Sequence, residues 1–389
     1  MVHRTINPSG DEHSFLLLGA RGTGKSTLLK NTIPNKARLL EIDLLSPGQE
    51  NLFLRDPSHL ERLLEPLIDQ KGWVVIDEIQ KVPSLLNIVH SFIEKSKLKF
   101  ALTGSSARKL RTEGINLLAG RAFMYHLFPF THQELSTQFD LQLSLEFGTL
   151  PKIFSLKTPA LKKKYLNAYC ETYLREEIRI EQVVKKIEPF IAFLEIAAQS
   201  NGEIVNFSKI AFDCRVDTKT VQSYFQILSD TLTGFFLKPY FGSARKRERH
   251  NPKFYLFDLG VVRALSKKLA IPLVPATSEY GRAFEHFIVA EVFRICSYAQ
   301  NDYELFYWRG EKQAEVDLVI RRPGLPLVLL EIKSSQIFDP RMCSTLSRVA
   351  ADFKEPTERV IIYDGKETLK HEKILIYPWK IGLKKLLKI

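Results

Sequence analysis

The sequence lacks long hydrophobic runs and is poor in cysteine. Its longest apolar runs, such as residues 15–18 and 327–330, are far shorter than the roughly 20 residues that a helix needs to cross a bilayer. Residues 1–14 hold no apolar core of a signal peptide. The four cysteines are scattered, without metal-binding or redox spacing, at Cys170, Cys214, Cys296 and Cys343. We therefore expect a cytoplasmic protein with reduced thiols and no contact with a membrane.

Acidic residues are in the minority, because 44 Asp and Glu face 56 Lys and Arg and leave a net charge of +12. Such a charge permits a nucleic acid, a membrane surface or no polyanion as partner, so the clustering of basic residues matters more. One cluster lies in residues 243–253, a second at residues 162–164 and a third in a C-terminal tail. The first cluster contains Arg245, Lys246, Arg247, Arg249 and Lys253. The third contains Lys380, Lys384, Lys385 and Lys388. This clustering favours DNA as the polyanion.

The first part of the chain has the pattern of an α/β domain. In residues 1–130 short apolar runs alternate with helical patterns, which is typical of a parallel sheet wrapped by helices. The predicted strands are Ser14–Leu18, Arg38–Ile42, Trp73–Asp77, Lys99–Thr103 and Phe123–Leu127. A run of leucines at helical spacing predicts a helix over residues 60–68. Strand signals then fade, so residues 131–189 are expected to form a helical lid or connector.

Residues 19–26 match the phosphate-binding pattern G-x-x-x-x-G-K-[ST], between a predicted strand and a predicted helix. In this pattern the backbone N–H groups and the helix N-terminus hold nucleotide phosphates. Lys25 is expected to reach the β and γ phosphates, and Ser26 to bind Mg²⁺. The residues predicted to bind ATP are Gly19, Ala20, Arg21, Gly22, Thr23, Gly24, Lys25, Ser26 and Thr27.

A second element of such an ATPase is an apolar strand that ends in two acids, and WVVIDE at residues 73–78 supplies it. Asp77 is expected to hold Mg²⁺ through water, and Glu78 to polarise the attacking water. The strand that ends at Thr103 is expected beside the phosphate-loop strand in a five-stranded sheet. A hydroxyl at that position can sense the γ-phosphate. Together these residues predict Mg²⁺-dependent ATP hydrolysis.

Residues 190–270 hold three helical segments followed by two extended runs, a layout typical of a winged helix-turn-helix. The third helix and the basic wing would contact DNA, chiefly through its phosphates. The contact candidates are Lys219, Thr220, Gln222, Ser223, Arg245, Lys246, Arg247 and Arg249. The alternative is that this module is a rigid lid or dimer contact with a solvated basic loop.

Residues 278–389 hold a second set of acids. Glu285 lies in a predicted helix, Asp317 in the strand EVDLVI, and Glu331 and Lys333 at the end of the strand LVLLEIK. This is the pattern of the PD-(D/E)XK nuclease fold, in which carboxylates hold one or two Mg²⁺ ions beside an ammonium group. Asp317 and Glu331 are the predicted metal ligands, Glu285 is predicted to support them, and Lys333 is the predicted catalytic cation.

Two further polar residues, Gln313 and Glu315, flank these acids and are expected to assist. Mg²⁺ and Mn²⁺ are both candidates for the metal. The alternative is a structural ion pair between an acid and a lysine in a domain that does not cleave. The E-x-K pattern alone does not decide between the two, since a surface strand often shows it, but the apolar lead-in and the upstream Asp317 favour a site.

The sequence resembles prokaryotic AAA-type P-loop ATPases whose C-terminal domain has long been of unknown function. The resemblance rests on the motifs above and on LTGSSARKL, LLAGRAFMYHLFPF, YLREEI, KFYLFDLG and GRAFEHFIVAE. The resemblance covers nearly the whole chain. It implies that Ser105 or Ser106 acts as sensor 1, that Arg121 is an arginine finger acting in trans, and that the protein forms a ring or other homo-oligomer. For Arg121 the alternative is a surface ion pair. The resemblance also implies a nuclease-like C-terminal fold, without deciding whether it cleaves or only binds DNA.

The expected architecture is a AAA-type α/β core with a parallel sheet (1–130), a helical connector (131–189), a winged helix (190–270) and a mixed α/β restriction-endonuclease-like domain (278–389). The expected function is that of an ATPase acting on DNA, with ATP and Mg²⁺ as cofactors and a second Mg²⁺ or Mn²⁺ site left open. Two alternatives stand beside it. One is a DNA motor with a non-cleaving nuclease-like clamp, and the other is a nucleotide-gated regulatory or defence switch.

Overall fold

The computed structural model describes residues 2–10, 12–106, 118, 120–174, 187–241, 250–310 and 314–388. Among these residues no helix is both long and apolar enough to cross a membrane.

Several predictions concern residues outside the described part of the chain. They are Gln313, most of the YLREEI motif, and the wing residues Arg245, Lys246, Arg247 and Arg249.

The N-terminal domain is built on a five-stranded sheet in the order β2-β3-β4-β1-β5, and each pair of neighbours is parallel. Its strands are β1 (Phe15–Leu18), β2 (Arg38–Asp43), β3 (Gly72–Asp77), β4 (Leu98–Gly104) and β5 (Phe123–His126). Its helices are α1 (Lys25–Thr32), α2 (Pro47–Arg55), α3 (His59–Leu64) and α4 (Leu85–Lys95). Alternate residues of β1 and β3 pack into two apolar clusters, so both sheet faces are covered. The predicted parallel α/β sheet is confirmed.

The connector and the middle module share one hydrophobic core, to which Leu166, Phe193 and Phe225 belong. The connector consists of α5 (His132–Leu135), α6 (Leu141–Phe147), α7 (Pro151–Ser155), α8 (Pro159–Ala168) and a π-helical segment (Tyr169–Leu174). The middle module consists of α9 (Ile187–Gln199), α10 (Phe207–Cys214), α11 (Thr218–Asp230), β6 (Gly234–Pro239), β7 (Lys253–Leu256) and α12 (Leu259–Leu265). The two predicted segments therefore pack as one unit.

The C-terminal part is a mixed sheet in the order β12-β13-β11-β10-β9-β8-β6-β7. Its elements are α13 (Ser278–Ala299), β8 (Glu304–Arg309), β9 (Glu315–Arg321), β10 (Leu327–Lys333), α14 (Ser344–Val349), β11 (Thr357–Tyr363), β12 (Leu369–His371), β13 (Ile374–Pro378) and α15 (Trp379–Leu387). Strand β6 pairs in parallel with β8, where Lys238 lies opposite Phe306. The hairpin of the middle module thus forms one end of the C-terminal sheet, and the sheet crosses the predicted domain boundary.

Two segments differ from the predictions. The helix expected over residues 60–68 divides, because α3 ends at Leu64 and a 3₁₀ turn covers Glu65–Leu67. Pro66 lies in this turn and has no N–H for a helical hydrogen bond. The basic C-terminal segment is not a tail but helix α15, since it buries an apolar face. The buried residues on that face include Trp379, Leu383, Leu386 and Leu387.

Candidate ATP site and C-terminal acidic site

The phosphate-binding loop joins β1 to α1 at the carboxyl edge of the N-terminal sheet. Gly24, the residue before α1, has a left-handed backbone (φ 96°), which glycine adopts most easily. A Cβ at Gly19 would lie 2.4 Å from the carbonyl oxygen of Leu127, so the loop packs directly against the end of β5. Glycine at these two positions therefore lets the backbone take the tight shape of a phosphate-binding loop.

Lys25 and Ser26 begin α1 and face the two acids at the end of β3. Ser26 Oγ donates a hydrogen bond to Oδ2 of Asp77 at 2.6 Å. Lys25 Nζ donates to the carbonyl oxygen of Gly19 at 2.8 Å and lies 3.5 Å from Oε1 of Glu78. Hydroxyl and carboxylate oxygens are ligands that suit Mg²⁺. The donor set of Ser26 and Asp77 therefore fits a Mg²⁺ ion beside the phosphate-binding loop.

Glu78 is buried, and its backbone lies in the left-handed region (φ 58°). Burial alone would raise the pKa of Glu78, but the Lys25 ammonium and a hydrogen bond from Gln80 outweigh it and hold the pKa below its ordinary value. Nε2 of Gln80 also donates to Ser105 Oγ at 2.8 Å. Glu78 is therefore an ionised carboxylate at neutral pH, linked to Ser105 through Gln80, a residue that the sequence analysis did not select.

Thr103 connects the two acids from the neighbouring strand β4. Its hydroxyl accepts a hydrogen bond from the backbone N–H of Glu78 at 3.0 Å and donates one to Oδ1 of Asp77. Strand β4 lies between β3 and β1, so this hydroxyl stands between the acids and the loop. Ser105 contacts Gln80 and Glu78, and Ser106 is buried just after β4. Thr103 contacts both acidic residues directly.

Two residues outside the motifs contact the backbone of the phosphate-binding loop. The hydroxyl of Tyr169 donates to the carbonyl oxygen of Arg21 at 2.8 Å. The guanidinium of Arg4 donates to the carbonyl oxygen of Thr23, and it lies 3.1 Å from Oε2 of Glu134 in the connector. Motif spacing gives no signal for these contacts, because they depend on how the connector folds back over the loop.

A cavity of about 800 Å³ adjoins the loop at Gly24. It lies between the N-terminal segment, α1 and the connector. Its walls include His3, Arg4, Ile6, Gly24, Thr27, Leu28, Asn31, Phe130, Pro151 and Phe154. The cavity therefore combines apolar and aromatic side chains with a few polar groups, which is the usual composition of a small-molecule site.

Arg121 lies just before β5, on the surface of the N-terminal domain. Its Nε donates to Oε1 of Glu94 at 2.8 Å, and its Nη2 lies 2.5 Å from the same oxygen. The side chains of Arg121 and Glu94 are 36% and 52% exposed. The structure thus contains the surface ion pair that the alternative to an arginine finger predicts, and a role for Arg121 in trans stays a prediction.

Helix α11 presents a polar face that includes the predicted DNA contacts. Lys219 and Gln222 are exposed, and Thr220 and Ser223 are partly exposed. The side chain of Asp217 caps the helix by accepting from the Thr220 N–H at 2.8 Å and from its hydroxyl at 2.6 Å. The Thr220 hydroxyl is therefore engaged in the cap, while Lys219 and Gln222 extend from the surface.

The C-terminal acids lie on the adjacent strands β9 and β10. Oδ2 of Asp317 accepts a hydrogen bond from the backbone N–H of Ile332 at 2.8 Å, which places it beside the E-x-K segment. Lys333 Nζ donates to Oε1 of Glu331 at 2.6 Å. Oε2 of Glu331 is buried and has no hydrogen-bond partner within the described chain. A buried carboxylate oxygen without a hydrogen-bond partner is a suitable ligand for a cation.

Electrostatics at these acids also favour a positive ligand. Burial first, and then the charges of Glu331 and Glu285, raise the pKa of Asp317 well above its ordinary value. Burial also raises the pKa of Glu331, although the Lys333 ammonium opposes this. Across the described residues, no group of three or more His, Cys, Asp or Glu side chains is arranged to hold a metal ion. Any ion here would therefore have few protein ligands.

Lys253 belongs to the acidic site and not to the basic wing. Its Nζ lies 2.5 Å from Oε1 of Glu315 and 3.5 Å from Oε1 of Glu285. The Tyr255 hydroxyl, on the same strand, donates to Oε1 of Glu285 at 3.0 Å. The charge count of the sequence places Lys253 with the wing arginines, whereas the pairing of β7 at the end of the C-terminal sheet directs its side chain into the acids.

Three family models match successive parts of the chain. Residues 11–136 match an "AAA domain", residues 138–270 match "Domain of unknown function (DUF8612)", and residues 280–381 match "Domain of unknown function (DUF4143)". The chain therefore carries a AAA-type P-loop ATPase domain at its N-terminus, followed by two domains of unknown function. The AAA part of the resemblance is confirmed. The winged helix and the nuclease-like fold remain predictions.

The chain is also similar to uncharacterized proteins of three bacteria. One from Mycobacterium tuberculosis and one from Mycobacterium bovis are each 25% identical over 359 residues, which are 90% of this chain and 76% of each relative. A relative from Haemophilus influenzae is 24% identical over 304 residues, which are 72% of this chain and 74% of the relative. These relatives share most of the chain's length and not only the ATPase domain.

Two solved structures from Aeropyrum pernix are more distantly similar. The ORC1 protein in complex with DNA is 12% identical, with 66% of this chain and 86% of that chain covered and a TM-score of 0.32. The ORC2 protein in its ADP form is 15% identical, with 66% and 89% covered and a TM-score of 0.34. Neither likeness informs on the activity of this chain.

Proposed function

We propose that this protein is an ATP-hydrolysing AAA-type ATPase that acts on DNA. The observation that carries the proposal is the meeting of Lys25 and Ser26 with Asp77 and Glu78 at one edge of the parallel sheet. In this proposal the loop backbone binds the β and γ phosphates. Ser26 and Asp77 hold Mg²⁺, which offsets the phosphate charge when bound.

The other polar residues at this edge of the N-terminal sheet position the attacking water and balance the charge on the phosphate oxygens. The ionised carboxylate of Glu78 accepts a hydrogen bond from the water and orients it toward the γ-phosphate. Lys25 balances the negative charge that develops on the phosphate oxygens. Thr103 and Gln80 hold the carboxylates of Asp77 and Glu78 in place through the hydrogen bonds described above.

The cavity beside α1 would receive the nucleoside. It begins at Gly24 and Thr27, which border the phosphate-binding loop, and its volume of about 800 Å³ exceeds what a base and ribose need. Phe130 and Phe154 supply aromatic walls. The nucleotide would thus lie between the ATPase domain and the connector, so that its binding acts on both.

The DNA part of the proposal is supported by charge and exposure. Lys219 and Gln222 extend from α11, and the basic residues 245–249 follow β6 in the sequence. At the C-terminal site Asp317 and Glu331 would hold Mg²⁺ or Mn²⁺, which polarises a phosphodiester when bound. Lys333 would balance charge at the phosphate. Assembly into a ring or other homo-oligomer belongs to the same proposal, with Arg121 as the candidate residue in trans.

A second candidate function is a nucleotide-gated switch that does not cut DNA. The observation that favours it is Lys253, whose ammonium already engages Glu285 and Glu315. A site neutralised in this way can bind DNA or a partner without cleaving. A DNA motor with a non-cleaving clamp is compatible with the same contacts.

The test of ATP hydrolysis is the substitution Glu78→Gln, with Glu61→Gln on the exposed surface of α3 as the matched control. Glu78→Gln is expected to retain binding of a fluorescent ATP analogue and to lose at least about 100-fold in turnover. Glu61→Gln is expected to match the wild type in both. Turnover by Glu78→Gln close to the wild-type rate would show that Glu78 does not orient the water.

A further inference from the structure

Lys253 is a fixed part of the C-terminal acidic site. It begins strand β7, where it lies opposite Leu237 of β6 and also forms a bridge with Ile204. Only 3% of the residue is exposed. Its backbone is paired on both sides and its side chain is buried, so the ammonium is held beside the acids.

The ammonium of Lys253 engages two of the four carboxylates around it. Glu315 lies 2.5 Å away and Glu285 3.5 Å away, and Glu285 also accepts the hydroxyl of Tyr255 at 3.0 Å. Charged donors at these distances are strong partners for a carboxylate in a partly buried site. Glu285 and Glu315 are therefore already satisfied by groups of the protein itself.

The other two carboxylates are less well satisfied. Asp317 accepts one backbone N–H, and Glu331 receives Lys333 on one oxygen while its other oxygen, Oε2, is buried without a partner in the described chain. Four carboxylates and the ammonium groups of Lys253 and Lys333 leave two negative charges in the cluster. One divalent cation would balance them.

We propose that Lys253 is a resident cation that occupies Glu285 and Glu315, so that the C-terminal site binds one divalent ion, at Asp317 and Glu331, and not two. The inference rests on the metal site of the proposed function. It accounts for the finding that no three acids of the described chain are arranged to hold a metal, because Lys253 divides the four into two pairs. Strand β7 of the middle module thus determines how many divalent ions the site binds, although the other residues of the site lie in the C-terminal region.

The test is the stoichiometry of Mn²⁺ binding to the nucleotide-free full chain, measured by electron paramagnetic resonance. Ions that Asp317→Asn loses are assigned to the C-terminal site. We expect one such ion in the wild type and in the control Lys267→Met, whose lysine is 74% exposed, and in Lys253→Met a second ion, held by Glu285 and Glu315. Two ions in the wild type, or still one in a folded Lys253→Met, would overturn the proposal. A wild type that loses no Mn²⁺ with Asp317→Asn would instead contradict the metal site itself.

Two glutamine variants keep the proposal testable if Lys253→Met does not fold. Glu285→Gln and Glu315→Gln are expected to retain the single Mn²⁺, because Lys253 and not the ion contacts these two carboxylates. Glu331→Gln is expected to lose it, as Asp317→Asn does. Complete loss of this Mn²⁺ in Glu285→Gln or Glu315→Gln, as in Asp317→Asn, would show that these carboxylates ligate the ion and would overturn the proposal.

Discussion

The hydroxyl of Tyr169 donates a hydrogen bond to the carbonyl oxygen of Arg21 at 2.8 Å, so the connector touches the phosphate-binding loop directly. The ring of Tyr169 also packs against Phe257, with 6.3 Å between the ring centroids. The carbonyl oxygen of Phe257 accepts a hydrogen bond from Arg294 of α13, the helix that carries Glu285. A continuous set of contacts therefore joins the candidate ATP site to the acidic site.

Removing the Tyr169 hydroxyl is expected to weaken nucleotide binding. In Tyr169→Phe the Arg21 carbonyl loses its donor, at a cost of about 1 kcal/mol, or about fivefold in the Kd for ATP. Titration with a fluorescent ATP analogue measures it. Tyr240→Phe is the matched control, because that hydroxyl bonds Glu355 in the C-terminal region and its loss should leave the Kd unchanged. Equal affinity in wild type and Tyr169→Phe would show that the connector does not support the loop.

Thr103→Val keeps the shape of the side chain and removes the hydroxyl between the two acids. The backbone N–H of Glu78 would then lose the Thr103 acceptor, and Oδ1 of Asp77 would lose the Thr103 donor, while Ser26 still donates to Oδ2. We expect a loss of about 1–3 kcal/mol in the free energy of unfolding. We also expect turnover to fall by about tenfold or more, because the acids are less well held, with little change in ATP affinity.

Thr231→Val serves as the control for Thr103→Val. Its hydroxyl is also buried and donates to the Ile227 carbonyl at 2.8 Å, but it lies in the middle module. A similar loss of stability with wild-type turnover is expected. Should Thr103→Val hydrolyse ATP as fast as Thr231→Val, Thr103 would have no part in holding the acids for catalysis.

Asp317 is expected to make the metal-free protein less stable as the pH rises. Its pKa is raised on folding by burial and by neighbouring carboxylates, so the folded state binds the proton more tightly than the unfolded state. The stability is complete below the ordinary pKa of 3.8 and is lost as the pH rises toward the folded value. Asp317→Asn should therefore be more stable than the wild type at pH 8.

Urea denaturation in EDTA at pH 5 and pH 8 measures this difference. The advantage of Asp317→Asn is expected to be larger at pH 8, and Mg²⁺ should stabilise the wild type more than the variant. Asp302→Asn is the control, because Asp302 is exposed. If the difference in the free energy of unfolding between Asp317→Asn and the wild type were the same at both pH values, ionisation of Asp317 would not destabilise the folded protein.

The N-terminal sheet and its two motifs could be predicted because their signals are local. Strands such as β3 are apolar runs with polar ends, and the loop and the acids Asp77 and Glu78 follow strands directly. Helix α15 also had a local signal, since Trp379, Leu383 and Leu386 recur at helical spacing, but the lysines between them suggested a tail.

The other parts of the two sites depend on long-range pairing that local patterns do not contain. Tyr169 reaches Arg21 only because the connector folds over the loop, and Lys253 reaches Glu315 only because β6 joins the C-terminal sheet. Gln80 is two residues from Glu78, yet its role follows from the left-handed backbone of Glu78, which turns the chain at that point. The basic cluster of residues 243–253 gives no sign that Lys253 faces the acids.

The central claim, that ATP hydrolysis serves an action on DNA, is tested most directly by ATP turnover with and without single-stranded, duplex and branched DNA. We predict that at least one DNA raises the turnover of the wild type by about threefold or more, that the effect weakens as salt rises, and that Glu78→Gln shows no turnover with any DNA. Wild-type turnover that is absent, or equal with and without every DNA at low salt, would contradict the claim.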